Sequence, residues 1–366
     1  MTTYLAKYVD DIQSETLKFS KLLTRKGKLL VKSAYPPLDL NIHEIVKDKP
    51  DLILIDFILW SFKIEGQSVP YLGGTLATRL REAHYDRPLI LVSTKNKFRQ
   101  HADTGQFGNL DDVVFKDDIE ANKQVAIYRL IEWIRGYEQL KLVGANNAWN
   151  RVVKALAANR RESEKLKSIF PADQGSLISE GVAKVDWSVP GIAHWIHRVL
   201  FKYPGILYDS LYAASMLGIS ERSFLRGDVQ KFFAPAKYNG VFANLTPRWW
   251  RDRLLTRAFS LIRSEKLEPD IPVSFRLVFA KRYRVKVTPS TCVVTGTKGA
   301  DAVCYILRKP VLREASLEYS PDDRPSIMDR ARVSFKAIRE SPELKTEFLS
   351  AEGGRLYSKI IKGKYP

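Results

Sequence analysis

Within the first 140 residues, five short apolar runs alternate with segments of helical periodicity, and this alternation restricts the fold more than any other feature of the chain. The runs are Tyr4 to Val9, Leu29 to Val31, Leu52 to Ile55, Leu89 to Val92 and Val113 to Phe115. Between them, 14–24 carries Leu17, Leu22 and Leu23 near helical spacing, and 40–46 and 75–83 read as further helices. The segment 124–142 closes the unit, with Ile127, Leu130, Ile131 and Ile134 at intervals of three and four. Strands alternating with helices make a parallel sheet covered on both faces. The expected fold is an α/β doubly wound, flavodoxin-like sheet of five parallel strands over residues 1–142, followed by a mainly helical region and an α+β C-terminal region.

The ends of those runs carry chemistry. Asp10 and Asp11 follow the first, Asp56 the third, Ser93 the fourth and Lys116 the fifth. In an open parallel sheet a ligand sits outside the carboxyl ends of the strands, so these groups are expected to meet there. Three carboxylates in one place repel one another unless a cation lies among them, and an all-oxygen set suits Mg²⁺. Taken singly, each residue has a plainer use: Asp11 as a helix cap, Lys116 as a solvated strand end. Their joint placement in this order is what points to a site.

The arrangement resembles the receiver domain of two-component response regulators, over about residues 3 to 140. The resemblance implies Mg²⁺ at the acidic pair Asp10 and Asp11, with Asp11 as the direct ligand, together with Asp56 and the carbonyl of Ile58. It implies Asp56 as acceptor of a phosphoryl group from a histidine kinase or other phosphodonor, Ser93 as the hydroxyl position with Thr94 as its alternative, and Lys116 as the family's lysine. Three departures stand out. A long stretch from Trp60 to Leu72 follows Asp56 before Gly73-Gly74, Asp117 and Asp118 follow the lysine where proline is common, and Val113 occupies the usual aromatic position. Two added carboxylates beside Asp56 are expected to oppose its phosphorylation.

Charge separates the remainder from this unit. The chain of 366 residues has a formal charge of +18. Residues 1–150 hold 21 Lys and Arg against 19 Asp and Glu, leaving 38 against 22 for 151–366. The second part has the excess expected of a partner for polyanions, DNA or RNA, or of a scaffold for an acidic protein or larger assembly. Residues 143–170 read as a connecting helix, 171–265 as a helical region with a candidate helix-turn-helix, and 266–366 as a basic α+β region. Helices are expected at 187–200, 206–217, from Ser220, at 248–263 and at 327–339.

In the helix-turn-helix reading, Gly218 makes the bend, Ser220 caps the second helix, and Arg222 and Arg226 face bases alongside Glu221 and Ser223. The same bend also fits a packing corner. The run Arg248-Trp249-Trp250-Arg251-Asp252-Arg253, with Arg257 one turn on, suits phosphate contact and base stacking, or equally a pair of core tryptophans with surface ion pairs. From 273 to 287, alternation of Phe275, Leu277, Phe279, Tyr283, Val285 and Val287 predicts a strand pair whose Lys281, Arg282 and Arg284 form a basic ribbon. His194 and His197 lack a third ligand in local register, and Cys292 and Cys304 read as buried thiols. Asp301, Asp322, Asp323 and Asp329 with Lys336 lack the spacing that would make a nuclease specific.

No segment approaches the roughly 18 apolar residues of a membrane span, and the N-terminus lacks an export pattern, so a cytoplasmic protein without a membrane partner is expected. The leading expectation is a response-regulator-like signalling protein whose receiver governs a basic output region that binds nucleic acid, in a bacterial regulatory or phage-defence system. The rivals are a non-phosphorylated receiver-like adaptor and a nuclease-type effector in the C-terminal half.

Overall fold

The computed structural model describes residues 3–37, 39–59, 63–64, 67–68, 71–101, 107–143, 148–157, 159–169, 188–267, 270–320, 328–341, 344 and 346–363. Two units follow from its internal packing: Met1–Ser163 with Asp186–His194, and Glu164–Val185 with Trp195–Pro366.

In the first unit the five expected strands are β1 (Tyr4–Val9), β2 (Leu29–Ala34), β3 (Leu52–Asp56), and, after a small antiparallel pair β4 (Lys63–Ile64) and β5 (Gln67–Ser68), β6 (Leu89–Ser93) and β7 (Asp112–Phe115). They order as β2-β1-β3-β6-β7, every neighbour parallel. With the inserted pair set aside, this is the flavodoxin-like doubly wound order. The central strands β3 and β6 are buried at every residue, as a strand with helices on both faces must be. The edge strand β2 alternates buried and exposed positions over Leu29 to Lys32.

Helices α1 (Gln13–Leu23), α2 (His43–Val46), α3 (Gly73–Glu82), α4 (Lys95–His101), α5 (Lys116–Ala121) and α6 (Lys123–Leu142) accompany the sheet. Asn122 caps α6 by accepting the Val125 N–H. The helix seats Ile127, Leu130, Ile134 and Tyr137 in the core, as its periodicity required. Gly73 opens α3 where its amide bonds the Phe57 carbonyl, and a Cβ there would lie 2.2 Å from the Asp56 carbonyl oxygen. Only glycine lets the helix start this close to the end of β3.

The expected connecting helix is two helices, Ala148–Leu156 and Arg160–Ile169. In the second unit the segment expected as a helix over 206–217 starts as a short strand, Leu207–Tyr208, paired with Trp249–Trp250, and only then forms the helix Ser210–Met216. The expected helix at 248–263 therefore begins later, at Arg251, and runs to Ser264. One aromatic-rich core, with Phe224, Phe233, Trp249, Phe275 and Phe279, spans 208–287. Another, with Cys292, Cys304, Tyr319, Val333 and Phe335, spans 292–360. The latter is built on a four-stranded mixed sheet ordered 309–311, 302–304, 331–334, 316–319. Val293 and Val294 lie in a turn instead of a strand, and the expected last helix at 327–339 is the strand Ala331–Ser334 followed by the helix Phe335–Glu340. A further helix, Ala351–Ile361, follows.

The strand pair expected over 273–287 is absent. Its residues form a short π-helix, Ile271–Phe275, continuing into the helix Arg276–Tyr283. Phe275, Val278 and Phe279 are buried at helical spacing while Leu277, the alternation's middle member, is exposed. Phe275 and Phe279 satisfy both periods, which is why alternation misled there.

Candidate functional site

The strand ends of β1, β3, β6 and β7 bring Asp10, Asp11, Asp56, Ser93 and Lys116 to one rim of the sheet, and all five are buried. Oxygens of Asp10, Asp11 and Asp56 lie within 4.8 Å of one another. Lys116 reaches into this group, its Nζ 2.8 Å from Asp56 Oδ1 and 3.0 Å from Asp10 Oδ2. Glu15, in the first turn of α1, stands 3.5 Å from the same ammonium. The Ile58 amide donates to Asp56 Oδ2 at 3.0 Å and the Ile12 amide to Asp10 Oδ1 at 2.9 Å. The Tyr8 hydroxyl donates to Asp10 Oδ2 at 2.5 Å. Ser93 Oγ turns to the Thr94 carbonyl at 3.2 Å.

Burial and the Asp10 charge push the Asp56 carboxyl up, the Lys116 ammonium and the Ile58 amide only partly offsetting them, to about 6. Burial pulls the Lys116 pKa down, but Asp56 and Asp10 more than reverse it, so the amine stays charged. The cluster is thus short of positive charge, and its oxygen-only donor set fits a hard divalent cation. Asp117 and Asp118 do not join it. The Lys95 amide donates to Asp117 at 3.2 Å and the Lys95 ammonium to Asp118 at 2.6 Å.

Strand order decides the architecture of this half. The N-terminal unit has the receiver fold.

Solved structures similar to this chain include NtrX from Brucella abortus, at 16% identity over 42% of this chain and 34% of that one, with a TM-score of 0.31. A CheY-like receiver domain from Methylobacillus flagellatus matches at 18% identity over 34% of this chain and 98% of its own, TM-score 0.26. The signal receiver domain of a Bacteroides fragilis response regulator matches at 18% over 36% and 98%, TM-score 0.27. The chain spans about a third of the NtrX structure. No family model and no curated protein matches the chain.

Sequence reasoning missed Tyr8, Glu15 and Gly73. Tyr8 lies two residues before Asp10 in the strand and so shares its face, which is a usable signal. Nothing in the sequence marks the approach of α3 to the Asp56 carbonyl.

In the second unit the proposed nucleic-acid residues disperse. Trp249 and Trp250 are 1% and 4% exposed, so they anchor the core and offer no stacking face, correcting that expectation. Arg248 is buried with them. Arg251 pairs with Asp252 and with Asp329 at 2.7 Å, Arg253 lies over the Trp250 ring, and Arg257 bonds the Phe232 carbonyl. Arg226 pairs with Asp228 and bonds the Lys286 carbonyl.

The helix-turn-helix reading is also corrected. The second helix is four residues, Glu221–Phe224, with Ser223 and Phe224 buried, too short to enter a groove. Ser220 does cap it, but Gly218, at φ +66°, abuts Pro272, and Ser220 and Ser223 both bond Thr288. The bend is a packing corner. Arg222, Lys281, Arg282 and Arg284 remain on the surface, the last three along and just beyond the helix Arg276–Tyr283 instead of on a ribbon.

Cys292 and Cys304 are buried free thiols. His194 Nε2 lies 3.0 Å from Asp111, and among the described residues the only group of metal-ligating side chains is Asp10, Asp11 and Asp56. Asp301 pairs with Arg313 and Asp329 with Arg251, Lys336 is 4.0 Å from Glu340, and Asp322 and Asp323 lie outside the described residues. No helix among the described residues is long and apolar enough to cross a membrane.

Proposed function

We propose that this chain is a response-regulator-like signalling protein in which Asp56 takes a phosphoryl group from a histidine kinase or other phosphodonor, and the basic second unit delivers the output on DNA or RNA. The observation that carries this reading is Lys116 Nζ held 2.8 Å from Asp56 beside a buried acidic pair. Asp10, Asp11 and Asp56 would hold Mg²⁺. When bound, the ion neutralises the carboxylates and the charge on the transferring oxygens.

The protein's own groups do the rest. An Asp56 oxygen attacks phosphorus as the bond from phosphorus to the donor breaks, at the imidazole nitrogen of a histidine kinase or the carboxylate oxygen of acetyl phosphate, its electron pair staying on the donor. The Lys116 ammonium then pairs with the transferred oxygens, and Ser93 turns its hydroxyl from the Thr94 carbonyl toward them. Asp10, already engaged by Tyr8, Ile12 and Lys116, orients the lysine.

Incubation of the full chain with acetyl phosphate and Mg²⁺, read by intact mass, tests the input. A labile adduct of one phosphoryl group is expected, lost in Asp56→Ala. Wild-type protein that stays unmodified overturns the reading. For the output, Lys281, Arg282 and Arg284 on one exposed helix end are the supporting residues, and their joint change to Ala should weaken a steeply salt-dependent binding to nucleic acid. Affinity for an acidic protein with no affinity for nucleic acid would favour the adaptor instead.

A further inference from the structure

Beside the basic helix end at 281–284, the second unit carries a cavity of about 370 Å³. Two helices build most of it. The helix Arg251–Ser264 sets Thr256, Ser260 and Ser264 one turn apart on one face with Arg257 beside them, and the end of the helix Arg276–Tyr283 supplies Arg282 and Tyr283. No carboxylate lines the cavity among the described residues.

Its cations are open to a ligand. Arg257 gives its Nε proton to the Phe232 carbonyl at 2.7 Å and Arg282 gives one from Nη1 to Ser264 Oγ at 2.9 Å, and neither pairs with a carboxylate among the described residues. Each guanidinium has five N–H groups, so most of them remain available. Glu265, close in sequence, is paired with Lys281 at 3.3 Å. Two guanidiniums beside hydroxyls, with no acid among them, suit a phosphate.

Tyr283 adds an aromatic surface. Its ring is 41% exposed, and it stacks on Phe279 with centroids 4.4 Å apart at 30°, so one face is fixed while the rest meets solvent. Phe232 serves differently: Arg257 lies 4.7 Å over its ring, which makes it a support for the cation instead of a surface for a ligand.

The charge continues past the cavity. Residues 271–300 hold six Lys and Arg and no Asp or Glu, and Lys281 and Arg284 flank the two lining residues in sequence. A chain of phosphates leaving the cavity therefore keeps meeting cations, as a single nucleotide would not need. Bases of a duplex are covered on both faces by their neighbours, so a cavity that takes a base against an aromatic ring selects an unpaired strand.

Resting on the nucleic-acid output proposed above, we propose that this surface binds single-stranded nucleic acid, with one nucleotide seated in the cavity, its phosphate on Arg257 and Arg282 and its base on Tyr283.

Fluorescence anisotropy of the full chain with short labelled oligothymidylate and oligouridylate strands, and with a DNA duplex of the same length, tests this. At least one strand should bind about tenfold or more tightly than the duplex. Tyr283→Ala should weaken strand binding about tenfold and duplex binding by less than about twofold. Ser260 is exposed on its helix, so Ser260→Trp fills the cavity without removing a charge and should act like Tyr283→Ala in a protein whose circular dichroism is unchanged. A duplex bound as tightly as either strand, or a strand bound normally by folded Ser260→Trp or Tyr283→Ala, overturns the inference and leaves the nucleic-acid output standing. Absence of binding to strands and duplex alike overturns both.

Discussion

Lys95 Nζ lies 2.6 Å from Asp118 Oδ1, joining the start of α4 to the first turn of α5 across the rim that holds Asp56. The pair and the adjacent bond from the Lys95 amide to Asp117 give both acids a partner outside the phosphoacceptor cluster. The expected electrostatic opposition to a phosphorylated Asp56 is therefore reduced. Replacing both acids together, Asp117→Asn with Asp118→Asn, should leave the rate of acetyl-phosphate labelling within about twofold of wild type and, since the Lys95–Asp118 pair is half exposed, change unfolding stability by less than about 1 kcal/mol. Time-resolved intact-mass measurements decide it: a tenfold faster labelling would mean that the two acids act on Asp56 after all.

Asp56 itself makes the first unit sensitive to pH. Its native pKa is about 6, against about 4 for an unfolded Asp. The native state therefore holds a proton that the unfolded state has lost between those values, and stability falls as pH rises through that window. The penalty, on the order of 2–3 kcal/mol, is complete by neutral pH. Asp56→Asn should recover most of it in denaturant titrations at neutral pH and flatten the pH dependence. Added Mg²⁺ should stabilise the wild type and leave the variant unmoved. A variant no more stable than wild type would mean that Lys116 already balances the cluster.

Gly73 is a steric requirement of the same rim. A Cβ on it would meet the Asp56 carbonyl at 2.2 Å and the Ile55 side chain at 3.0 Å. The carbonyl belongs to β3 and cannot swing aside without dragging the acceptor with it. Gly73→Ala should cost about 1–3 kcal/mol in urea unfolding and slow labelling at Asp56, whereas Gly27→Ala, at an open turn, should leave labelling intact. Normal labelling in folded Gly73→Ala would show that the helix start yields instead.

What the sequence disclosed depended on whether one physical signal dominated. The strands of the first unit are largely apolar runs between helices, and chain order alone brings their carboxyl ends to one rim, so Asp10, Asp11, Asp56, Ser93 and Lys116 could be selected without coordinates. Tyr8 was within reach of the same alternation, two residues before Asp10, whereas the contact of Glu15 with Lys116 depends on side-chain reach across elements, which spacing does not carry. In the second unit the signals compete. Phe275 and Phe279 fit alternation and helical spacing alike, and the exposure of Leu277 with the burial of Val278 separates the two. Trp249 and Trp250 beside arginines look the same in a binding face and in a core, and the short pairing with Leu207–Tyr208 is a tertiary choice invisible to local pattern.

At the amino-terminal end of the strands, away from the Asp56 rim and just before β7, Asp111 is buried without any exposed side-chain surface. It accepts from the Leu89 amide at 2.7 Å, Arg81 at 2.8 Å and the Tyr137 hydroxyl at 2.5 Å, so it ties β6, α3 and α6 together through one carboxylate. Burial pushes its pKa up, but the Arg81 charge and then His194 and Tyr137 outweigh this and hold it at about 2. A depressed native pKa contributes stability that is full above about pH 4, the unfolded value, and is lost as pH falls toward 2. The pH-linked part is on the order of 2–3 kcal/mol. Asp111→Asn keeps the shape but leaves Arg81 buried beside a neutral group, and should cost about 3–5 kcal/mol at neutral pH. Urea titrations at neutral and acid pH separate these effects: the gap between wild type and variant should narrow in acid. A gap that stays constant with pH would mean that the carboxylate acts only as a packing element.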